Sequence, residues 1–155
     1  MDNIEIIISI FSLLVSICAA IYANSASKTA NKVANGEIEL NIFSIIRETE
    51  IRVMDLTIEL SKFEDYESLS QTKKKECDAI TKAFEQAIES NLNAYEEACA
   101  KYLDGKIDID RFSRMYNTPI RNLVENDEYQ DYFKPIISSY KCILKVYEKW
   151  NNLEK

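Results

Sequence analysis

The chain has 155 residues, enough for one membrane anchor and one modest domain. Its 19 basic and 26 acidic residues give a formal net charge of −7, which argues against general adhesion to nucleic acid or to anionic lipid. The sequence contains no histidine, so the commonest general base and the commonest metal ligand are both missing. Two glycines and two prolines favour long helices over a sheet with many turns.

The longest stretch without a charged residue runs from Ile6 to Ser27. About 20 apolar residues in a helix cross the roughly 30 Å hydrocarbon core of a bilayer. A signal peptide needs a basic start, whereas this chain begins Met-Asp-Asn-Ile-Glu. An interfacial helix needs a charged face, which this stretch lacks. A fully buried core helix is the remaining alternative. We interpret the stretch as a transmembrane helix.

Lys28 and Lys32 follow this span, and no lysine or arginine precedes it. By the positive-inside rule the N-terminus then lies outside the membrane and the rest of the chain lies in the cytoplasm. The sequence therefore predicts a single-pass protein with a transmembrane helix and its extension at residues 1–35. A helical cytoplasmic domain follows at residues 36–155, and Gly36 either ends the first helix or only weakens it.

Small residues recur at steps of three and four along the predicted span. Such residues let membrane helices approach closely, and serine hydroxyls can bond across the interface. Serine also bonds to carbonyls of its own helix, so the pattern permits self-association without requiring it. We predict a pore-lining or helix-packing stripe formed by Ser9, Ser12, Ser16, Ala19, Ala23 and Ser27.

Apolar residues at steps of four and three predict a packed helix from about residue 37 to residue 63. The seam consists of Ile42, Ile46, Thr49, Val53, Leu56, Leu60 and Phe63. Additional apolar residues widen the stripe, so this helix should bury against more than one neighbour, within the subunit or between subunits. These additional residues are Ile38, Ile45, Ile51, Met54 and Ile58.

Local signals divide the rest of the chain into further helices. A capping box at Ser68–Gln71 predicts the start of a second long helix that ends before Gly105. Asp108 or Asp110 can cap a short helix, and Pro119 suits the first position of another. Asn126-Asp127 begins a further short helix, and Pro135 begins the last. The fold class is all-α: one transmembrane helix and a bundle of three long and two or three short helices.

The sequence offers no recognisable catalytic chemistry. It contains no phosphate-binding glycine loop, zinc-ligand cluster, nucleophile elbow or H-E-x-x-H motif. The four cysteines have no C-x-x-C spacing, and thiols that face the cytoplasm stay reduced. They are Cys18, Cys77, Cys99 and Cys142. We expect neither an enzyme nor a cofactor or metal site.

Charge is distributed unevenly along the chain. Residues 37–67 hold three basic and nine acidic residues, a sum of −6, whereas residues 133–155 hold five basic and two acidic residues, a sum of +3. Lysines beside aromatic rings suit phosphates and stacked single-stranded bases. The alternative to ligand binding is a structural role, in which the rings lie in the core and the lysines face water or an acidic helix of a neighbour. The candidate anionic-ligand surface is Arg111, Arg114, Arg121, Lys141, Lys145, Lys149, Tyr140 and Tyr147.

A short uncharged N-terminal span, an alanine-rich extension and a small helical domain recur among bacterial membrane proteins encoded with anti-phage systems. The stretch from Leu92 to Asp108, LNAYEEACAKYLDGKID, looks like a helix–turn segment of small anchored proteins. In size and layout the chain resembles the membrane effector of the Hailong defence system. The resemblance implies an inner-membrane homotetramer whose membrane helices open a conducting path. It also implies control by single-stranded DNA oligomers made by a partner nucleotidyltransferase.

Two functional hypotheses follow. The first is a self-associating membrane effector, a channel or membrane-disrupting protein in contact with lipid, gated by a nucleotide or single-stranded oligonucleotide on its cytoplasmic helices. The second is a passive membrane-tethered adaptor that recruits a cytoplasmic protein partner. The small-residue stripe and the wide apolar helix favour the first hypothesis, whereas the net acidity is a point against an oligonucleotide ligand.

Overall fold

The computed structural model describes residues 2–63, 65–134 and 138–151; of residues 2–7, 9 and 10 it describes the backbone only. Short 3₁₀ helices lie at Tyr66–Ser68 and Asp127–Phe133. No strand occurs within these ranges, which confirms the all-α class. The α-helices are α1 (Asp2–Leu60), α2 (Gln71–Leu103), α3 (Ile109–Glu125) and α4 (Lys141–Asn151).

The predicted membrane helix and the predicted packed helix belong to one continuous helix, α1, of 59 residues. Gly36 therefore does not end a helix; its φ is not positive, and a Cβ added there would meet no other atom within 4 Å. A helical glycine costs only about 1 kcal/mol relative to alanine, and the helix continues through it. Contacts divide the chain into two compact units, an N-terminal unit (Met1–Glu37) and a bundle unit (Ile38–Lys155).

In the N-terminal unit, every side chain from Phe11 to Asn35 is exposed. Within the described residues, no helix combines the length and the mean hydropathy of a membrane span. The side chains that begin the predicted span lie outside the description, namely Ile6, Ile7, Ser9 and Ile10.

The bundle unit is built on α2, which packs against α3 and α4. Apolar residues at steps of three and four predict one packed stripe along α2, which is half-buried at Cys77, Ile80 and Phe84 and buried at Ala87, Ile88, Leu92, Tyr95, Cys99 and Tyr102. From α1, the side chains of Ile42, Ile46 and Leu56 are buried, at 4%, 1% and 2% exposure. Three of the seven predicted seam residues thus reach the interior fully, and the other four are half-buried.

Aromatic rings hold the centre of the bundle together. Phe112 of α3 is fully buried, with its ring centroid 4.9 Å from that of Tyr116 and 5.4 Å from that of Tyr102. Trp150 of α4 packs edge-on against Tyr102 and donates a hydrogen bond from Nε1 to the Tyr102 hydroxyl at 3.1 Å. These rings join α2, α3 and α4 in a single core.

The ends of α2 follow local rules, with one correction at the start. Ser70, not Ser68, is the N-cap, and its side chain accepts a hydrogen bond from the Lys73 N–H at 3.4 Å. Ser68 is engaged elsewhere, because it closes a 3₁₀ turn and its hydroxyl donates to the Asp65 carbonyl. At the other end, Gly105 has φ +65°, the left-handed conformation of a C-terminal cap.

The prediction that Pro119 starts a helix is wrong, since α3 runs through it from Ile109 to Glu125. An interior proline costs about 3 kcal/mol. The same helix buries Phe112, Tyr116 and Ile120 on one face, and each buried apolar side chain gains about 1.5–3 kcal/mol. Burial on both sides of the proline therefore outweighs the lost hydrogen bond.

The other short-helix predictions fare differently. Of the two predicted caps, Asp108 caps α3 by accepting a hydrogen bond from the Arg111 N–H at 2.9 Å, and Asp110 lies in the first turn. Asn126 caps the next element, which is a 3₁₀ helix. Pro135 lies outside the described residues, and the described part of the last helix begins at Lys141.

Replacing Phe112 by alanine should lower the free energy of unfolding by about 3–5 kcal/mol, because it leaves a cavity among three aromatic rings. Urea unfolding of the full chain, followed by circular dichroism, measures the change. Met115→Ala on the same helix, where half of the side chain is exposed, should cost less than about 1 kcal/mol. Equal losses for the two variants would contradict this description of the core.

Candidate functional site

The small-residue stripe lies on the exposed surface of α1. Ser12, Ser16, Ala19, Ala23 and Ser27 are all exposed, and the side chain of the remaining member, Ser9, lies outside the described residues. The Ser16 hydroxyl donates a hydrogen bond to the Ser12 carbonyl at 2.8 Å. This serine therefore satisfies its donor within its own helix, and the stripe keeps the small, open surface on which close helix packing depends.

The basic cluster is less uniform than the sequence suggests. Arg111 lies in the first turn of α3 and reaches back to α1, where its Nη1 lies 3.3 Å from Oε1 of Glu39. Its Nη2 lies 3.8 Å from the carboxylate of Asp108. Arg111 is therefore already paired with two carboxylates, and a phosphate would have to compete with both.

Glu39 makes this pairing unusual. Its side chain is 5% exposed, whereas the side chain of Arg111 is 55% exposed. Oε1 of Glu39 accepts no hydrogen bond from the described residues, so Arg111 compensates it as a charge and not as an aligned donor. A buried carboxylate of this kind is costly unless a cation stays close.

The remaining arginines occupy different settings. Arg114 is exposed and forms no ion pair with any residue that the structure describes. Arg121 is half-buried and donates a hydrogen bond from Nη2 to the Asn151 side chain at 3.1 Å, which joins α3 to α4. Arg114 is thus available to a ligand, while Arg121 holds two helices together.

The three lysines of α4 are all exposed, and their spacing of four residues places them on one side of the helix. Lys149 lies over the ring of Tyr102, 4.9 Å from its centroid, in cation–π geometry. Lys141 and Lys145 form no ion pair within the described part of the chain. These two lysines are the freest members of the cluster.

A carboxylate already occupies the N-terminus of α4. Both oxygens of Glu96 accept from the Cys142 N–H, at 2.9 and 3.1 Å, and one also accepts from the Ile143 N–H at 3.0 Å. Glu96 belongs to α2, so this contact caps one helix from another. An anionic ligand therefore cannot use these amides and must bind through side chains alone.

The two tyrosines of the cluster do not present free ring faces. Tyr140 is buried in the core. Tyr147 is half-buried, and its hydroxyl donates to Oε1 of Glu125 at 2.7 Å. That hydrogen bond, with some burial, raises the pKa of the Tyr147 hydroxyl. For these two tyrosines the structure agrees with the alternative interpretation, in which the aromatic residues have a structural role.

Sequence reasoning missed a cleft of about 300 Å³ where α1, α2 and α3 meet. Tyr95 donates to Oε1 of Glu50 at 2.6 Å, and Asn91 donates to the Thr49 hydroxyl at 3.0 Å. Burial, followed by the Glu50 hydrogen bond, raises the pKa of Tyr95 well above its usual range, so the hydroxyl stays a donor. Partners 42 and 45 residues apart leave no local signal in the sequence.

Among the described residues, no group of three or more cysteine, aspartate or glutamate side chains is arranged to hold a metal ion. No protein-family model, curated protein or solved structure matches the chain.

Replacing Arg111 by alanine should destabilise the fold by about 1–3 kcal/mol, because it leaves the Glu39 carboxylate buried without a cation. The midpoint of urea unfolding measures the loss. Arg114→Ala, which removes no ion pair to a described residue, should change stability by less than about 0.5 kcal/mol.

The double variant Arg111→Ala with Glu39→Gln separates charge from packing. A neutral amide costs less to bury than a carboxylate, so the second substitution should recover part of the stability. If Arg111→Ala and Arg114→Ala behave alike, the ion pair with Glu39 contributes nothing.

Proposed function

We propose that this protein is a homo-oligomeric effector of the bacterial inner membrane, in which α1 helices assemble into a channel or a membrane-disrupting bundle. One observation carries the proposal: the described apolar side chains of the N-terminal unit have no cover. Phe11, Leu13, Leu14 and Ile21 are between 55% and 69% exposed. In this unit, uncovered apolar surface occurs on a segment whose sequence has no charge from Ile6 to Ser27.

The size of this exposed surface supports a lipid environment. Seven large apolar residues from Ile8 to Ile21 each keep about half or more of their surface exposed. Covering the remaining half of one such side chain gains roughly 1 kcal/mol, so covering all of them gains on the order of 7 kcal/mol. That is comparable with the whole stability of a typical domain, 5–15 kcal/mol.

The proposed topology is a single pass, with the N-terminus outside and the bundle unit in the cytoplasm. Lys28 and Lys32 at the cytoplasmic end support this orientation. In a bilayer, the lipid covers the bulky faces of α1. The face with Ser12, Ser16, Ala19 and Ala23 is the one that lets a second helix approach closely.

We place the gating ligand, an anionic nucleotide or single-stranded oligonucleotide, on Lys141, Lys145 and Arg114. These cations are exposed and carry no ion pair in the part of the chain that the structure describes. The acidic remainder of the molecule repels a polyanion elsewhere, which confines binding to this surface.

The membrane proposal is tested with dye-filled liposomes that contain the purified full-length chain. Ser12→Leu with Ser16→Leu should abolish leakage, because bulky side chains keep the helices apart. Val15→Leu enlarges an exposed neighbour outside the stripe and should leave leakage unchanged.

The outcome also distinguishes the effector from a passive tethered adaptor. An adaptor never makes liposomes leak, with or without nucleotides. Leakage that survives the double serine substitution would remove the stripe from the mechanism.

Charge reversal tests the ligand surface. Lys141→Glu with Lys145→Glu should weaken binding of a fixed single-stranded DNA oligomer and reduce the slope of log K against log salt by about 1.4, or about 0.7 per lost phosphate contact. Fluorescence anisotropy across a salt series measures both. Lys82→Glu, an exposed lysine on α2, is the control and should have no effect on the slope. An unchanged slope in the double variant would show that these lysines do not contact the oligomer and only face water.

A further inference from the structure

The bundle unit leaves a second heptad seam of α1 uncovered, here called the outer seam. Its apolar members are Leu40, Ile51, Met54 and Ile58, which are 69%, 45%, 55% and 54% exposed. With the exposed Ser44 and Arg47 they follow steps of four, three, four, three and four. That is the repeat of a coiled-coil seam. At 100° per residue, it lies on nearly the opposite side of α1 from the buried Ile42 and Ile46.

We propose that the outer seam is the surface through which α1 packs in parallel against a second copy of this chain. The inference rests on the proposed function, because insertion in a membrane sets the α1 helices of different copies parallel. It adds the residues that meet, from Leu40 to Ile58, and the register in which they meet.

The sequence register identifies the occupant as another copy. Counting back from Leu40 in alternating steps of three and four reaches positions 37, 33, 30, 26, 23, 19, 16, 12 and 9. Five of those positions belong to the small-residue stripe, so the stripe and the outer seam share one unbroken heptad repeat. A continuous seven-residue repeat keeps the same face of a helix against its partner along its whole length. If an unrelated protein covered the outer seam alone, that seam would not need to share its heptad repeat with the small-residue stripe.

The change of residue type along the repeat fits the change of surroundings. Inside a bilayer, helices associate through small residues that allow close contact. In water, they associate through large apolar residues at positions a and d. The repeat has serine and alanine up to Ala30, and its large apolar residues follow at Val33, Leu40, Ile51, Met54 and Ile58. Glu37, the only acidic residue in the repeat, lies between Val33 and Leu40, and Ser44 and Arg47 lie between Leu40 and Ile51.

Charge complementarity supports a parallel arrangement in register. Arg47 occupies a d position, and Glu48 follows it at e. In a parallel coiled coil, a d side chain inserts between four residues of the neighbour, which include the e residue of the same heptad. Arg47 of one copy therefore meets Glu48 of the other. A single polar residue in such a seam also fixes the register.

Cysteine cross-linking in cell membranes tests the proposal with the full-length chain carrying Cys18→Ala. Met54→Cys should form a disulfide-linked dimer on mild oxidation, because d positions in register bring Cα atoms within the roughly 4.4–6.8 Å that a disulfide spans. Arg52→Cys, also exposed but at a b position away from the outer seam, is the matched control. The dimer fraction should be several-fold higher for Met54→Cys, and the parent chain gives the background of the three remaining cysteines.

The charge pair provides the second arm. Adding Arg47→Glu to Met54→Cys should reduce the dimer fraction several-fold, and adding Glu48→Arg as well should restore it. Circular dichroism of each variant checks that the fold is intact. Equal cross-linking at positions 52 and 54, no dimer at all, or a cross-linked band whose mass fits a different protein would each overturn the proposal.

This result is separable from the fate of the proposed function. If Met54→Cys cross-links but liposomes never leak, the seam stands and the channel falls. If liposomes leak but position 54 does not cross-link above position 52, the channel stands without this interface.

Discussion

When a helix packs against its own chain through one face, its other apolar faces stay exposed to water unless something else covers them. This constraint governs α1. Its inner seam, with Ile42, Ile46 and Leu56, is buried in the bundle, while the outer seam and the bulky residues from Phe11 to Val33 are exposed. The bundle therefore buries only part of the apolar surface of α1. We propose that lipid and further copies of the chain cover the rest.

Within the bundle, polar contacts between distant residues fix how the helices meet. Glu96 of α2 caps α4, and Tyr95 of α2 binds Glu50 of α1. Arg111 of α3 compensates the buried Glu39 of α1. Each tie joins two elements, so displacement of one helix would strain several hydrogen bonds or leave a charge unpaired.

The sequence predicted best where the signal is local. The inner seam of α1 and the stripe of α2 follow from apolar spacing alone, and the Asp108 cap lies one residue before the helix that it starts. Prediction failed where a distant contact decided the outcome. Pro119 reads locally as a helix start, but α3 continues because Phe112, Tyr116 and Ile120 are buried on one face. Ser68 fits a capping box, yet it is held in a 3₁₀ turn and Ser70 takes its place.

The same division applies to the candidate ligand surface. Residue type and spacing placed Lys141, Lys145 and Lys149 on one exposed side of α4. They did not show that Tyr140 is buried, that Tyr147 is bound to Glu125, or that Arg111 is paired with Glu39. Those facts depend on partners 22 to 72 positions away or on the whole core, which periodicity does not encode.

The central claim is that contacts within a single chain do not cover the apolar surface of α1. Alkaline washing of membranes from cells that express the full-length protein tests it most directly, because this treatment removes peripheral proteins and leaves integral ones in the bilayer. Our account predicts that the protein stays in the washed membranes. Recovery of the whole chain in the supernatant as a stable monomer would contradict it.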